Sequence, residues 1–436
     1  MKEIIIKGLD EKVYHETLEN GLNIYIYNKK DYAEKGAFFA TNYGSNKNDF
    51  VPIGESKMQN FPKGIAHFLE HKLFESEDNE KTFDIFKKLG ADVNAYTNLN
   101  ITNYYFSTVY NFDKCLEALI NFVQNPYFTD KNVEKEKGII NQEINMVNDN
   151  VTRFIFQKAK ENTLYTNPNR YSVIGTKQSI DKITKEDLYK CYNTFYHPSN
   201  MFLVIYGDVD VKDTIDLVRK NQAKKKFEKQ SEIILKNYNE KSEVKTPSKT
   251  YYKNVNNSRV VLSYKIKTKK LSGEERYKKM MSLGTFLDIK FGGSSPFERM
   301  LLKDKIIKSE LSWSFSIYDD VIVIYFECVT DNKDKFIEKV DEKLKENKID
   351  KKSFELIKKS NVASLVRDAE RPIRIATVLV SQINKYDGFI DGIFETYKNY
   401  TFEEFIKDNK DLDFSNKSVV YVTKKEVKHA KGKKRN

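Results

Sequence analysis

The apolar residues of the chain fall into runs that predict strands and helices in an α+β order. In the first half, "GLNIYIY" (21–27) and "KGAFFATNYG" (35–44) predict strands, and a strand-like run covers 93–110. Helices are expected around "GIAHFLEHKLFE" (64–75) and from 112 to about 160. Strands that come first, with helices layered on them and no regular βαβ alternation, favour an α+β fold of mostly antiparallel sheets covered by helices.

The second half repeats this order at a nearly constant offset. "NFDKCLE" (111–117) recurs as "NKDKFIE" (332–338), and "TKEDL" (184–188) recurs as "TFEEF" (401–405), which are shifts of 221 and 217 residues. Each T-x-E-[DE] is typical of a helix start, with threonine as the cap and acids in the first turn. Coincidence between common helix starts is the alternative, but the echoes favour two homologous domains.

A polar, lysine-rich segment over 220–250 divides the chain nearly in half and is predicted to be a linker. We therefore expect an N-terminal domain over 1–219 and a homologous C-terminal domain over 251–423.

The last residues, 424–436, carry seven lysine or arginine residues and one glutamate. Their net charge of +6 is half of the net charge of the chain, +12. Such a block is usually a disordered, solvated tail. Nucleic-acid or acidic-membrane contact is less favoured, because no basic stripe with interleaved aromatic residues supports it elsewhere.

Three features of the sequence bear on the cellular compartment of the protein. No apolar run approaches the roughly 18 residues of a membrane span. The N-terminal segment lacks the apolar core and small-residue cleavage site of a secretory signal. Cysteines are few, widely spaced and odd in number, which fits reduced thiols rather than a disulfide framework: Cys115, Cys191 and Cys328. We therefore expect a cytoplasmic protein with no membrane span.

The segment "GIAHFLEHKLFE" holds two of the five histidines of the chain in the spacing H-x-x-E-H. On a helix, His67 and His71 lie on one face, one turn apart, and can share one metal ion such as zinc. Glu70 stands beside them and can take a proton from a metal-activated water. This is the inverted form of the commoner H-E-x-x-H pattern. The alternative is a pair of surface histidines beside a salt-bridging glutamate.

Two histidines leave a catalytic zinc one protein ligand short. The other histidines lie in less suitable segments: His15, His197 and His429. The segment 133–147 offers Glu136 and Glu143, which are two helical turns apart on one face. Its isoleucines are expected to pack that helix on the core: Ile139, Ile140 and Ile144. Taken alone, these two glutamates are more often ordinary solvated residues of a helix.

Three segments together resemble a known family: "GIAHFLEHKLFE", "VEKEKGIINQEINM" and "FYHPSNMFLVIYGDVD". They are similar to the pitrilysin/insulinase family of inverted zinc metallopeptidases, in particular its two-domain branch with the mitochondrial processing peptidase β-subunit and bacterial homologues. The resemblance covers essentially the whole chain and is strongest over 15–210. It implies two homologous α+β domains that face each other as a clam-like half-chamber, with zinc in the N-terminal domain and no metal site in the C-terminal one.

The resemblance implies a role for each residue of the two motifs. His67, His71 and Glu143 are the implied ligands of one Zn²⁺ per chain, and Glu70 is the implied general base. Glu136 matches a family glutamate that supports the site from behind the ligands.

The stretch "GADVNAYTN" (90–98) matches the family's G-x-x-x-N-A-x-T strand. In relatives this strand pairs with the backbone of the substrate, which implicates Asn94 and Ala95 in substrate binding. Plain sheet packing is an equally weighted alternative for the side chains of these two residues.

The second half departs from the family pattern. Active relatives carry an arginine and, seven residues later, a tyrosine that hold the substrate near the zinc. Here Leu302 stands at the arginine position, Trp313 or Phe315 lies in the tyrosine region, and Arg299 is three residues out of register. This implies a heterodimer with a homologous subunit that supplies the missing pair. A homodimer and a self-sufficient monomer are alternatives.

The sequence thus predicts a zinc metalloendopeptidase that hydrolyses peptides or extended polypeptide segments by a metal-activated water. We expect it to be the catalytic subunit of a two-subunit peptidase. The alternative is a catalytically idle family member that acts as an interaction or scaffold subunit.

Overall fold

A computed structural model describes residues 1–7, 11–77, 82–346, 349–386, 388–390 and 392–425. The strands are β1 (Lys2–Ile6), β2 (Glu11–Thr17), β3 (Asn23–Asn28), β4 (Lys35–Thr41), β5 (Asp49–Phe50), β6 (Gln59–Asn60), β7 (Ala91–Thr97), β8 (Thr102–Thr108), β9 (Met201–Gly207), β10 (Ser248–Tyr252), β11 (Arg259–Lys267), β12 (Ser312–Tyr318), β13 (Val321–Val329) and β14 (Lys417–Thr423). Of the predicted basic tail only Lys424 and Lys425 are described; the rest, with His429, lies outside the described residues.

The helices confirm the expected α+β class. They are α1 (Ile65–Leu73), α2 (Thr82–Leu89), α3 (Phe112–Val123), α4 (Asp130–Asp149), α5 (Val151–Thr163), α6 (Lys177–Ile180), α7 (Lys185–Phe195), α8 (Val211–Ala223), α9 (Gly273–Phe291), α10 (Pro296–Lys303), α11 (Lys333–Lys345), α12 (Lys351–Ala369), α13 (Pro372–Lys385), α14 (Ile393–Asn399) and α15 (Phe402–Asn409). Two short 3₁₀ turns cover Pro168–Arg170 and Pro198–Asn200.

The two halves share a core of five strands with the same order and directions, which agrees with the two homologous domains that the sequence echoes favoured. The first sheet has the order β1-β2-β3-β9-β4-β8-β7, and the second has the order β10-β14-β11-β13-β12. In each half the first strand of the shared core pairs in parallel with the last, β3 with β9 and β10 with β14, and the other pairs are antiparallel. Thr184 and Thr401 cap α7 and α15 with equivalent capping boxes.

Each half lends one helix to the sheet of the other half. Helix α13 packs on β9, β4 and β3 of the first sheet, and α5 packs on β14 and β11 of the second. Leu379 and Val380 of α13 lie in an apolar cluster with strand residues of the first sheet: Tyr27, Phe38, Phe202 and Val204. Ile155 and Ala159 of α5 lie in a cluster with strand residues of the second: Val261, Val323, Val420 and Val422.

This exchange explains the continuous apolar runs of the central strands. All seven residues of β9 and all nine of β13 are buried, because each sheet has its own helices on one face and the borrowed helix on the other. The halves are therefore joined by two apolar layers as well as by the chain.

The connection between the halves, 224–247, contains no helix and forms one isolated bridge, Phe50 with Leu235. Near its end Glu240 is buried and forms an ion pair with Lys265 of β11 at 2.5 Å. The same carboxylate accepts hydrogen bonds from the backbone N–H groups of Tyr165, Thr166 and Asn167, which follow α5. The connection is thus anchored to both halves. The domain boundaries at 219 and 251 stay a prediction.

Within the described part of the chain, no helix combines the length and the apolar character needed to cross a bilayer. The three cysteines are buried and unpaired.

Candidate metal centre

Helix α1 presents the two histidines of the H-x-x-E-H segment on one side. It starts after Gly64, whose φ of +94° is strained for any L side chain and whose added Cβ would lie 2.7 Å from the carbonyl oxygen of Ile174. Apolar side chains anchor the helix in the core: Ile65, Phe68, Leu69 and Leu73. His67 and His71 then lie one turn apart, with ring centroids separated by 4.5 Å.

Helix α4 packs against α1 and brings Glu136 and Glu143 to the two histidines. It is fixed at its start by a capping box between Thr129 and Asn132. Its core face carries buried isoleucines at Ile140 and Ile144.

The expectation that Ile139 also packs on the core is wrong, because that side chain is 45% exposed. Ile139 precedes Glu143 by four residues and therefore shares its more open face of the helix.

Three donor groups converge between the helices. Oε2 of Glu143 lies 3.7 Å from Nε2 of His67 and 3.9 Å from Nε2 of His71. Among the described residues, these three form the one group of His, Cys, Asp or Glu whose donor atoms all lie within 4.8 Å of one another. Ligands of a tetrahedral zinc ion are roughly 3.3 Å apart, given metal–ligand bonds of about 2.0–2.1 Å. A small closure of the side chains would bring this donor set to that spacing.

Glu136 orients the second histidine. Its Oε1 lies 2.9 Å from Nδ1 of His71, and the carboxylate is almost fully buried. Burial by itself lowers the pKa of His71, but the hydrogen bond and charge of Glu136, together with the charges of Glu70 and Glu143, outweigh it and leave that pKa raised. The contact commits Nδ1 to Glu136 and turns Nε2 toward Glu143.

His67 lies in a different environment. Burial, followed by the charge of His71, lowers the pKa of His67 to about 3, so its imidazole is neutral, as a metal ligand must be. Its Nδ1 is buried and has no hydrogen-bond partner among the described residues. Of the two imidazoles, only that of His71 is hydrogen-bonded to a carboxylate of the described residues.

Glu70 is held by a residue that sequence reasoning missed. Thr97 Oγ1 of β7 donates a hydrogen bond of 2.6 Å to Oε2 of Glu70, which is only 8% exposed. Burial raises the pKa of Glu70, and the hydrogen bond from Thr97 opposes that rise. A buried carboxylate with a raised pKa is a stronger base than an exposed one.

Strand β7 lies at the edge of the first sheet, and β8 is its one partner in the described part of the chain. Asn94 Oδ1 accepts a hydrogen bond of 2.8 Å from the backbone N–H of Ala95. Because side chains alternate along a strand, Thr97 lies on the same face as Ala95 and opposite to Asn94. Thr97 is the last residue of the G-x-x-x-N-A-x-T segment. A polar residue on the Ala95 face was the signal that could have identified it.

The second half carries other residues at the positions where the arginine–tyrosine pair of active relatives was expected. Leu302 and Arg299 lie on α10 with exposed side chains, and Trp313 and Phe315 lie on β12.

Two family models match the chain over adjacent ranges. The model described as insulinase (peptidase family M16) matches residues 50–177, which include both glutamates of α4 and the H-x-x-E-H segment. The model described as the peptidase M16 inactive domain matches residues 182–361.

Curated proteins with similar sequences include several zinc proteases. The chain is 43% identical over 316 residues to the uncharacterized zinc protease YmfH of Bacillus subtilis (strain 168), which covers 72% of this chain and 74% of that protein. It is 29% identical to an uncharacterized zinc protease of Rickettsia felis, covering 44% and 45% of the two chains. It is 27% identical to the mitochondrial-processing peptidase subunit beta of Homo sapiens, covering 36% and 33%. The last two matches span less than half of each relative.

Solved structures share the two-domain fold. A crystal structure described as an M16-like peptidase from Alicyclobacillus acidocaldarius matches with a TM-score of 0.90 at 29% identity, covering 97% of this chain and all of that one. A protease from Helicobacter pylori matches with a TM-score of 0.80 at 20% identity, covering 95% of this chain and all of that one. The clam-like arrangement of two homologous domains is thus shared with these structures.

Proposed function

The chain belongs to the insulinase family of peptidases (peptidase family M16), and from that premise we propose that it is a zinc-dependent endopeptidase. The observation that carries the proposal is the convergence of His67, His71 and Glu143 beside the buried carboxylate of Glu70. The zinc proteases among the relatives support zinc as the metal.

The donor set fits one zinc ion per chain. Two imidazole nitrogens and one carboxylate oxygen are a common protein ligand set for catalytic zinc, which keeps its fourth position open. Glu136 would keep His71 in the tautomer whose Nε2 can bind the metal. When bound, zinc supplies Lewis-acid activation of the attacking water.

In this proposal Glu70 moves the proton of the reaction. It accepts a proton from the attacking water and then returns it to the leaving nitrogen of the scissile bond. Thr97 holds the carboxylate in one orientation through its hydrogen bond. No group of the chain forms a covalent bond to the substrate in this scheme, because the water is the nucleophile.

Peptides or extended polypeptide segments are the proposed substrates. Among the described residues no strand pairs with the outer edge of β7, so this edge can take an added strand, and Asn94 and Ala95 lie at its middle. Thr97 of the same strand touches Glu70, so a substrate strand on this edge would pass close to the general base.

We further propose that the chain acts with a homologous subunit. The second half has Leu302 where active relatives carry arginine, and a partner could supply the missing arginine–tyrosine pair. A relative is named as the beta subunit of a processing peptidase, which favours the heterodimer over a homodimer. A cytoplasmic location is part of this proposal.

An idle scaffold subunit is the competing proposal. One matching family model is described as an inactive domain, but it matches residues 182–361, which lie mainly in the second half. The metal-binding donor groups lie in the first half, outside that match. A chain that only mediates contacts would not need two imidazoles, a third ligand and an oriented carboxylate.

The deciding experiment is purification of the chain with and without a co-expressed homologue. Zinc content and cleavage of an unstructured peptide mixture are then measured for both preparations. We expect stoichiometric zinc in both and cleavage that requires the homologue. Stoichiometric zinc without cleavage in either preparation would favour the scaffold role, and absence of zinc from both would contradict the metal site.

A further inference from the structure

A second polar pocket lies away from the metal centre, between the segment that precedes α1, the turn after α5 and the connection between the halves. It has a volume of about 480 Å³. The residues that define it include three cations and two tyrosines: Lys63, Arg170, Lys236, Tyr171 and Tyr238. The cations come from three distant parts of the sequence, so the fold brings them together.

The positive charge of this pocket is poorly compensated. Arg170 and Lys236 have no carboxylate within ion-pair distance in the described part of the chain, and Nε of Arg170 is buried without a hydrogen-bond partner. Lys63 is 3.8 Å from Asp49, which is the only carboxylate among the described residues that line the pocket. Burial lowers the pKa of Lys63, and the positive charges of Lys236 and Arg170 lower it further against the opposing effect of Asp49.

Asp49 is already engaged by neutral donors. Its carboxylate accepts hydrogen bonds from Tyr238 Oη and, at 2.6 Å, from Asn60 Nδ2. Asp49 therefore does little to neutralise the charges of Arg170 and Lys236. With three cations and one carboxylate, the pocket keeps an excess of about two positive charges.

Aromatic rings and amide groups line the rest of the pocket. Lys63 and Arg170 lie over the ring of Tyr171 at 5.0 and 4.7 Å, and Arg170 donates a hydrogen bond of 2.6 Å to Tyr171 Oη. Asn237 and Asn239, which carry side-chain amides, also line the pocket. Rings, amides and guanidinium together suit a ligand that combines an oxyanion with a small organic body.

We propose that this pocket binds a phosphate group, either as free phosphate or on a small phosphorylated molecule. A dianion matches the excess charge, and Arg170, which lines the pocket, carries a guanidinium that can donate hydrogen bonds to phosphate oxygens. Lys63 directly precedes Gly64, the N-cap residue of α1, so the ligand would contact the segment that leads into the helix carrying His67 and His71.

Calorimetric titration of the full chain at low ionic strength tests this site with two probes, inorganic phosphate and phenyl phosphate. We expect saturable binding of one ligand per chain that weakens as salt is added. Arg170→Met and Lys236→Met should each weaken binding at least about tenfold, as expected for the loss of a charged hydrogen bond. Tighter binding of phenyl phosphate would indicate a phosphorylated molecule, and tighter binding of inorganic phosphate would indicate the free ion.

Lys352 and Lys359 of α12 provide a control with the same change in charge. Both are exposed, so Lys352→Met and Lys359→Met should leave phosphate affinity within about twofold of the parent. Glu143→Ala should also leave it unchanged, which separates this site from the metal centre.

Absence of saturable binding at millimolar phosphate would overturn the proposal. So would an equal loss of affinity in the two α12 variants, or a loss of affinity in the Glu143 variant. Because Lys236 is exposed, Lys236→Met should fold normally, and it therefore tests the phosphate site even if Arg170→Met does not fold.

Discussion

Thr97 on the edge strand β7 donates a hydrogen bond of 2.6 Å to Glu70 on α1. The contact joins the strand proposed to hold the substrate to the carboxylate proposed to move the proton. Under the proposed function, one local unit of the fold would set both the register of the substrate and the orientation of the base.

Replacement of Thr97 should lower activity without loss of metal. Thr97→Val keeps the shape of the side chain and removes the donor to a charged partner, so we expect kcat to fall roughly 10- to 100-fold. Thr97→Ser should restore most of the activity, because the hydroxyl is retained. Peptide cleavage and zinc content are measured together. Unchanged kcat in Thr97→Val would show that the hydrogen bond does not position Glu70.

Removal of Glu143 should abolish metal binding. Glu143→Ala leaves two imidazoles for zinc, one protein ligand fewer than a catalytic site provides. We expect zinc content after dialysis to fall well below one ion per chain. Glu134→Ala, on the same helix but exposed and paired with Lys137, is the matched control and should retain zinc. Full zinc occupancy in Glu143→Ala would indicate a different third ligand.

Glu136 should affect metal affinity through His71. Glu136→Gln weakens the acceptor at Nδ1, and loss of such a partner typically costs about 10- to 100-fold in metal affinity or activity. A competition titration with a chelator measures this change. A zinc affinity equal to that of the parent would show that Glu136 does not support metal binding through His71.

The ion pair between Glu240 and Lys265 should stabilise the joint between the halves. Glu240→Gln leaves a buried lysine without its anion, and we expect a loss of about 3–5 kcal/mol in the free energy of unfolding at neutral pH. Glu232→Gln, at an exposed position of the same connection, should change it by less than about 0.5 kcal/mol.

The pH dependence of this loss has a defined sign. Burial raises the pKa of Glu240, but the hydrogen bonds from Lys265 and from the backbone after α5 outweigh it and leave the pKa below its ordinary value of 4.5. Its stabilising contribution is therefore complete above about pH 4.5 and is lost as the pH falls through the folded-state pKa. Denaturant unfolding of parent and Glu240→Gln should converge in acid. A constant difference across that range would contradict the assignment.

Much of the fold followed from local signals. Apolar runs located β3 and β4, and threonine caps located the starts of α7 and α15. These signals are readable because capping and burial act within a few residues of the chain.

The exchange of α5 and α13 between the halves was not predicted. An amphipathic pattern shows that a helix has an apolar face but not which sheet will cover it. The same limit explains Ile139, whose apolar character suggested the core although it shares the open face of Glu143.

The candidate site also has a part that the sequence predicts and a part that depends on tertiary packing. The spacing of His67 and His71 follows from helical periodicity, whereas the approach of Glu143 depends on how α4 packs against α1. Here the family resemblance supplied what periodicity could not. Thr97 remained unassigned because its contact with Glu70 spans two elements.

The most direct test of the proposed chemistry is Glu70→Gln in the chain co-purified with its homologue. The substitution preserves size and hydrogen bonding but removes the base. We expect zinc to remain at one ion per chain and the cleavage rate to fall at least about 100-fold. Cleavage at the parental rate by the zinc-loaded Glu70→Gln protein would contradict the account.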